Sequence, residues 1–207
     1  MCLALIAWQH CANEPLVVGF NRDEFFDRPT KLAQNWGDYI GGQDCISQGT
    51  WLGVSNSRFG AVTNLRKTFE PGIKSRGQLV RQFVAGHDTA VEYANQLNHD
   101  QYNHFNLVLC DGNNLVVTTN PKQKSHILSP GIYVITNDEF DPAITNCLTS
   151  KFSNDVDKLF ELLEQNHVRK DLTYGTRTST VITNNSLFER TYNGNGFLQN
   201  QLQINKS

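Results

Sequence analysis

Two apolar runs, residues 3–8 and 16–20, flank His10-Cys11-Ala12-Asn13-Glu14-Pro15, a segment rich in turn-forming residues. Runs of this length separated by such a turn commit residues 2–9 and 15–21 to an antiparallel hairpin. The hairpin carries a cysteine at its start, Cys2, and returns the charged tetrapeptide Asn21-Arg22-Asp23-Glu24 towards it. Methionine is normally trimmed before a residue as small as cysteine, and Met1 is expected to be removed. Cys2 would then hold a thiol and a free α-amine in one residue, with pKa values of about 8.5 and about 8, so that the amine can accept the thiol proton near neutrality.

Elsewhere the period alternates between two and three to four. Residues 49–55 and 59–65 read as a second hairpin around Asn56-Ser57-Arg58, after a polar loop that runs from Phe25 through Gly41-Gly42. Ser75 and Gln78 suggest a capping box for a helix with Leu79, Val80, Phe83 and Val84 on its apolar stripe. Asp88 suggests the N-cap of a second helix carrying Val91, Ala94 and Leu97. Strands are expected at 105–110 and 115–119, joined by Asp111-Gly112-Asn113-Asn114, and again at 131–136. Val156, Leu159, Phe160, Leu162 and Leu163 have helical spacing, with a short helical turn expected after Pro142. Residues 179–183, 187–192 and 197–204 close the chain as strands. Strands at both ends and helical blocks between them give an α+β class, and 207 residues with 39% apolar content suit a single domain.

Charge and cysteine usage exclude several classes. A formal charge of −2, a pI near 6.3 and scattered Lys and Arg argue against a nucleic-acid partner. Five irregularly spaced cysteines suit a reduced cytoplasmic setting better than a disulfide framework. His10 and Cys11 are adjacent on a strand, point to opposite faces and grip one ion poorly, so no metal and no other cofactor is expected. The first segment lacks a basic n-region, and no apolar run approaches the ~20 residues of a membrane span.

Met1-Cys2, Asn21-Arg22-Asp23-Glu24, Arg28-Pro29, Gly49-Thr50-Trp51-Leu52-Gly53, Ala61-Val62-Thr63-Asn64, Arg76-Gly77-Gln78-Leu79-Val80 and Gly175-Thr176-Arg177-Thr178-Ser179-Thr180 occur in this order. In that combination the chain resembles the NRDE-motif family, the group named for transport and Golgi organisation. That family is in turn similar to the cysteine branch of the amino-terminal nucleophile hydrolases, which includes penicillin V acylase and bile-salt hydrolase. The resemblance implies a four-layer αββα sandwich of two mainly antiparallel sheets covered by helices.

It also implies a chemistry. Cys2 would attack a small non-peptide amide through a thioester, its amine serving as base, in an amidohydrolase that releases the acyl group to water or an acyltransferase that moves it. Asp23 would orient the amine, with Arg22 as a neighbouring cation or salt-bridge anchor. Strand alternation places Asn21 and Asp23 on one face and Arg22 on the other, and the Arg-Asn-x-Asp order of the hydrolases is not reproduced here. Asn64 would donate to the oxyanion, a contribution of about 3 kcal/mol, and Asn137 would position substrate or amine. Arg177 would stabilise the thiolate or hold a substrate carboxylate, or else pair with Asp23 or Glu24. Asn21, Glu24 and Trp51 would support the site. The other function the resemblance implies is a non-catalytic carrier of a hydrophobic small molecule, in haem or lipid handling or Golgi organisation.

Overall fold

The computed structural model describes residues 2–56, 58–65, 74–144, 146–169, 172–193 and 196–204. Met1 and the turn residue Ser57 lie outside them. The chain divides into two units, crossing from one to the other between Arg28 and Pro29, returning at Pro130, lending Asn137–Asp141 to the second and staying in the first from Pro142 to Ile204. Each unit holds one antiparallel sheet with helices on a face, and the α+β class with two antiparallel sheets stands. Among the described residues no helix is long and apolar enough to cross a membrane.

The first unit contains β1 (Leu3–Cys11), β2 (Glu14–Phe25), β10 (Gly131–Ile135), β11 (Tyr174–Ile182), β12 (Ser186–Asn193) and β13 (Gly196–Gln203), in the order β10-β1-β2-β11-β12-β13. The expected N-terminal hairpin is present, with Leu3 facing Asn21 and Trp8 facing Leu16. Helix α3 (Val156–Glu164) starts at Asp155, whose side chain accepts from the Lys158 amide, and sets Leu159, Phe160, Leu162 and Leu163 against Leu3, Leu5, Ala7, Val17 and Val181. Gly19 permits the approach, because a Cβ there would stand 3.1 Å from the Leu159 side chain. The alternate residues Ala4, Ile6, Trp8, Val18 and Phe20 are buried as well. With both faces out of solvent, β1 reads as a continuous apolar run and not as an alternating one.

The second unit is a seven-stranded meander: β3 (Thr30–Asn35), β4 (Ile40–Asp44), β5 (Leu52–Ser55), β6 (Arg58–Asn64), β7 (Phe105–Cys110), β8 (Leu115–Asn120) and β9 (Lys124–Leu128). Helices α1 (Arg76–Ala85) and α2 (Ala90–Gln96) bury Leu79, Val80, Phe83, Val84, Ala90 and Ala94 against Phe105, Leu107, Leu109 and Val116. Three local readings change. The segment expected as a polar loop contains β3 and β4. The Ser75 side chain makes no cap bond; the Gln78 amide donates to the Ser75 backbone carbonyl at 3.1 Å, and the Thr50 amide donates to the Gly77 carbonyl at 3.0 Å. The second helix is capped by Thr89 and not by Asp88, in a reciprocal capping box with Glu92.

The contact at Gly77 has a testable consequence. A Cβ on Gly49 would lie 2.5 Å from the Gly77 carbonyl carbon, with backbone and not a flexible side chain as the obstacle. Gly49→Ala is therefore expected to destabilise the protein by about 1–3 kcal/mol, measured as a lowered urea midpoint with an unchanged m-value.

Candidate functional site

Strand β2 continues through Phe25, so the whole tetrapeptide lies within a strand and its members alternate. Cys2 stands one residue before Leu3, which faces Asn21, and so occupies the register position opposite Arg22. Asn21 turns towards α3: its Nδ2 donates to the Leu163 carbonyl at 2.9 Å and its Oδ1 accepts from the Ser179 hydroxyl at 2.6 Å. Asp23 is buried, and its Oδ1 accepts from the Thr176 hydroxyl at 2.7 Å. The Thr176 oxygen in turn accepts from the Val168 amide just beyond α3.

Strict alternation would put Thr176 and Thr178 on one face. The β2–β11 register shifts between these two residues, so that Thr176 faces Asp23 and Thr178 faces Arg22. Arg177 is the extra residue of the bulge, a device that re-aims a side chain out of the strand pattern. Its guanidinium donates to the Phe25 carbonyl at 3.3 Å and also to the Arg28 carbonyl. The bulge divides two sequence motifs between two faces: Asn21, Asp23, Thr176 and Ser179 on the α3 side, and Cys2, Arg22, Thr178 and Thr180 on the other. The hydroxyls of Thr178 and Thr180 are buried and have no hydrogen-bond partner among the described residues.

Cys2 itself is 9% exposed, with Sγ 3.9 Å from the Asp23 carbonyl oxygen. Burial pushes its thiol up to about 11, the Asp23 charge adding to the rise while the bond to the Asp23 carbonyl and the Arg22 charge oppose it. Burial likewise raises the Asp23 carboxyl, and the Thr176 hydroxyl partly offsets this. Arg22 is buried and its Nη2 lies 3.8 Å from Glu24 Oε2, which also meets Arg28 Nε at 3.7 Å. Arg22 is thus both the cation across from Cys2 and one end of a short ion-pair chain.

The remaining candidates lie in the second unit. Asn64, exposed at the end of β6, receives on its carbonyl a hydrogen bond from Asn137 Nδ2, while Asn137 Oδ1 is buried without a partner among the described residues. The two asparagines are therefore brought together. Trp51 is buried over Gly42, where a Cβ would fall 2.3 Å from its ring.

Two positioning residues have no sequence signal. Asn106, inside β7, donates to Thr63 Oγ1 at 3.2 Å and to the Asp138 carbonyl at 2.8 Å, and accepts from the Phe140 amide at 3.1 Å, fixing the segment that carries Asn137. His167, just past α3, places Nε2 3.1 Å from Ser179 Oγ. Burial lowers its pKa, against the opposing charges of Glu164 and Asp23.

Comparison with known proteins adds the family. Residues 1–173 match the family described as Transport and Golgi organisation 2. The chain is 34% identical over 138 residues to the Transport and Golgi organization 2 homolog of Mus musculus, covering 59% of this chain and 50% of that protein. The corresponding homologs of Homo sapiens and Bos taurus are 33% and 31% identical over the same length and share. The chain thus spans about half the length of the curated relatives it matches. A match that runs from the cysteine and the tetrapeptide across most of the sequence establishes that this chain belongs to the Transport and Golgi organisation 2 family.

Proposed function

We propose that the protein is an amino-terminal nucleophile amidohydrolase in which Cys2, freed of Met1, cleaves a small non-peptide amide. The carrying observation is the placement of Cys2, buried, immediately before β1 and at the register position opposite Arg22. Asp23 lies one residue past that position, towards the end of the chain that loss of Met1 exposes, where its carboxylate can hold the new ammonium.

The α-amine takes the thiol proton, and the thiolate attacks the amide carbonyl, forming a C–S bond. The ammonium returns that proton to the departing nitrogen as the C–N bond breaks, leaving a thioester on Cys2. Water then attacks the thioester, the amine accepts the water proton, and the carboxylate leaves as the thiol reforms. Arg22 stabilises the thiolate by charge. The five cysteines, all free, suit a reducing compartment.

A thiol held near 11 is almost wholly protonated at neutral pH. The proposal therefore requires the amine, and this makes thiol reactivity its test. With Met1 retained, limiting iodoacetamide is expected to label exposed Cys147 first, since Cys2 and Cys110 are buried and protonated. With Met1 removed, Cys2 is expected to overtake Cys147 in peptide mapping. The same order in both forms would contradict the mechanism. Intact mass of protein from its native host is expected to show the chain without Met1, and retention throughout would oppose the amine's role.

The same buried, protonated thiol favours a second reading, a carrier for a hydrophobic small molecule, in keeping with relatives named for transport and Golgi organisation. A carrier would tolerate serine at position 2, whereas the hydrolase would not.

A further inference from the structure

The α3 side of the six-stranded sheet holds a cavity of about 530 Å³, within the range of small-molecule sites. Arg169 and Arg177 line it, together with His167, Tyr192, Phe26 and Leu172, and no Asp or Glu is among its described lining residues. Two carboxylates accept from lining residues. Glu164 accepts from Arg190 at 3.1 Å and from the Tyr192 hydroxyl at 3.3 Å, and Asp23 accepts from Thr176.

Burial lowers the pKa of His167 from its ordinary value, and the position of the ring is set by the network around it. The Ser179 hydroxyl donates to Asn21, so His167 Nε2 carries the proton that reaches Ser179. Tyr192 meets the imidazole edge-on at 4.3 Å between ring centroids. Arg177 is oriented by two backbone carbonyls and projects from a bulge, giving a planar cation in a fixed place. Around these groups stand two apolar side chains left open to solvent, Phe26 at 39% and Leu172 at 83% exposure. A cationic wall beside aromatic and aliphatic surface fits an anion with an apolar body.

We propose that this cavity binds a small organic carboxylate bearing an apolar or aromatic body, with the carboxylate held by Arg177 and Arg169 and the body seated on Tyr192, Phe26 and Leu172. The planar guanidinium matches the two oxygens of a carboxylate. The proposal does not depend on the chemistry at Cys2, which serine at that position would remove without touching the cavity.

Backbone-amide NMR of the full chain, titrated separately with cinnamate, its neutral counterpart cinnamamide, and inorganic phosphate, tests it. Cinnamate is expected to shift resonances of residues 167–169, 172–177 and 192 to saturation, with cinnamamide at least about tenfold weaker for want of the charged contact. Phosphate, which has no apolar body, is expected not to saturate. Arg177→Gln should weaken cinnamate about tenfold or more, and Arg169→Gln, at an exposed position that leaves the fold intact, severalfold. If Arg177→Gln fails to fold, Arg169→Gln and the amide comparison still decide. Equal affinity for cinnamate and cinnamamide, saturation by phosphate at the same concentration, or shifts confined to other residues would each overturn the assignment.

Discussion

Cys2→Ser, in protein freed of Met1, is expected to lower amide turnover by about three orders of magnitude, close to 4 kcal/mol of barrier, with little change in melting temperature. The expectation rests on two separate properties of the position. Chemically, a serine hydroxyl is a far weaker acid than a thiol, so an α-amine that can deprotonate sulfur leaves the oxygen protonated. Structurally, serine fits the same space, and Cys2 stands outside the α3 core formed by Leu3, Leu5 and Leu159, so little packing is lost. Turnover and thermal unfolding measured on the same preparations separate the two. A carrier would show the opposite pattern, with ligand retention unchanged by serine.

Asp23→Asn is expected to reduce turnover about a hundredfold, roughly 2.7 kcal/mol, by removing the charge that holds the ammonium formed during attack. The fold should tolerate the change, because the amide oxygen can still accept from the Thr176 hydroxyl that now donates at 2.7 Å. The stability effect has a definite sign. Burial raises the carboxyl pKa in the folded protein, so the favourable contribution of the protonated form is complete below the unfolded value and is lost as pH rises through the folded one. Asparagine removes that slope, and at neutral pH the variant should be as stable as the parent or more so. A lowered melting temperature, with activity falling only in proportion to the folded fraction, would make Asp23 scaffold.

What the sequence disclosed follows from where each segment is buried. The β1–β2 hairpin, the β7–β8 pair and the stripes of α1 and α3 are legible because apolar residues sit at strand or helix spacing over a whole element. Strands β3 and β9 are not, since most of their residues are exposed at the two edges of the seven-stranded sheet. Gly41-Gly42 reads as part of a polar loop but lies in β4, where bare backbone admits the Leu52 carbonyl and the Trp51 ring.

At the site, period-two alternation correctly assigns Asn21 and Asp23 to one face and Arg22 to the other. The same rule fails across Gly175-Thr176-Arg177-Thr178-Ser179-Thr180, because a bulge has no signature in a run of β-branched and small residues. His167 and Asn106 act through contacts far away in sequence, which no local pattern encodes.

Time-resolved intact mass of the protein, with and without Met1, after mixing with an activated acyl ester tests the central claim most directly. The predicted result is a single acyl adduct that maps to Cys2, appears only in the form lacking Met1, and decays as water releases the acid. An adduct on another cysteine, or equal acylation of Cys2 in both forms, would contradict the mechanism of an amine-activated thiol.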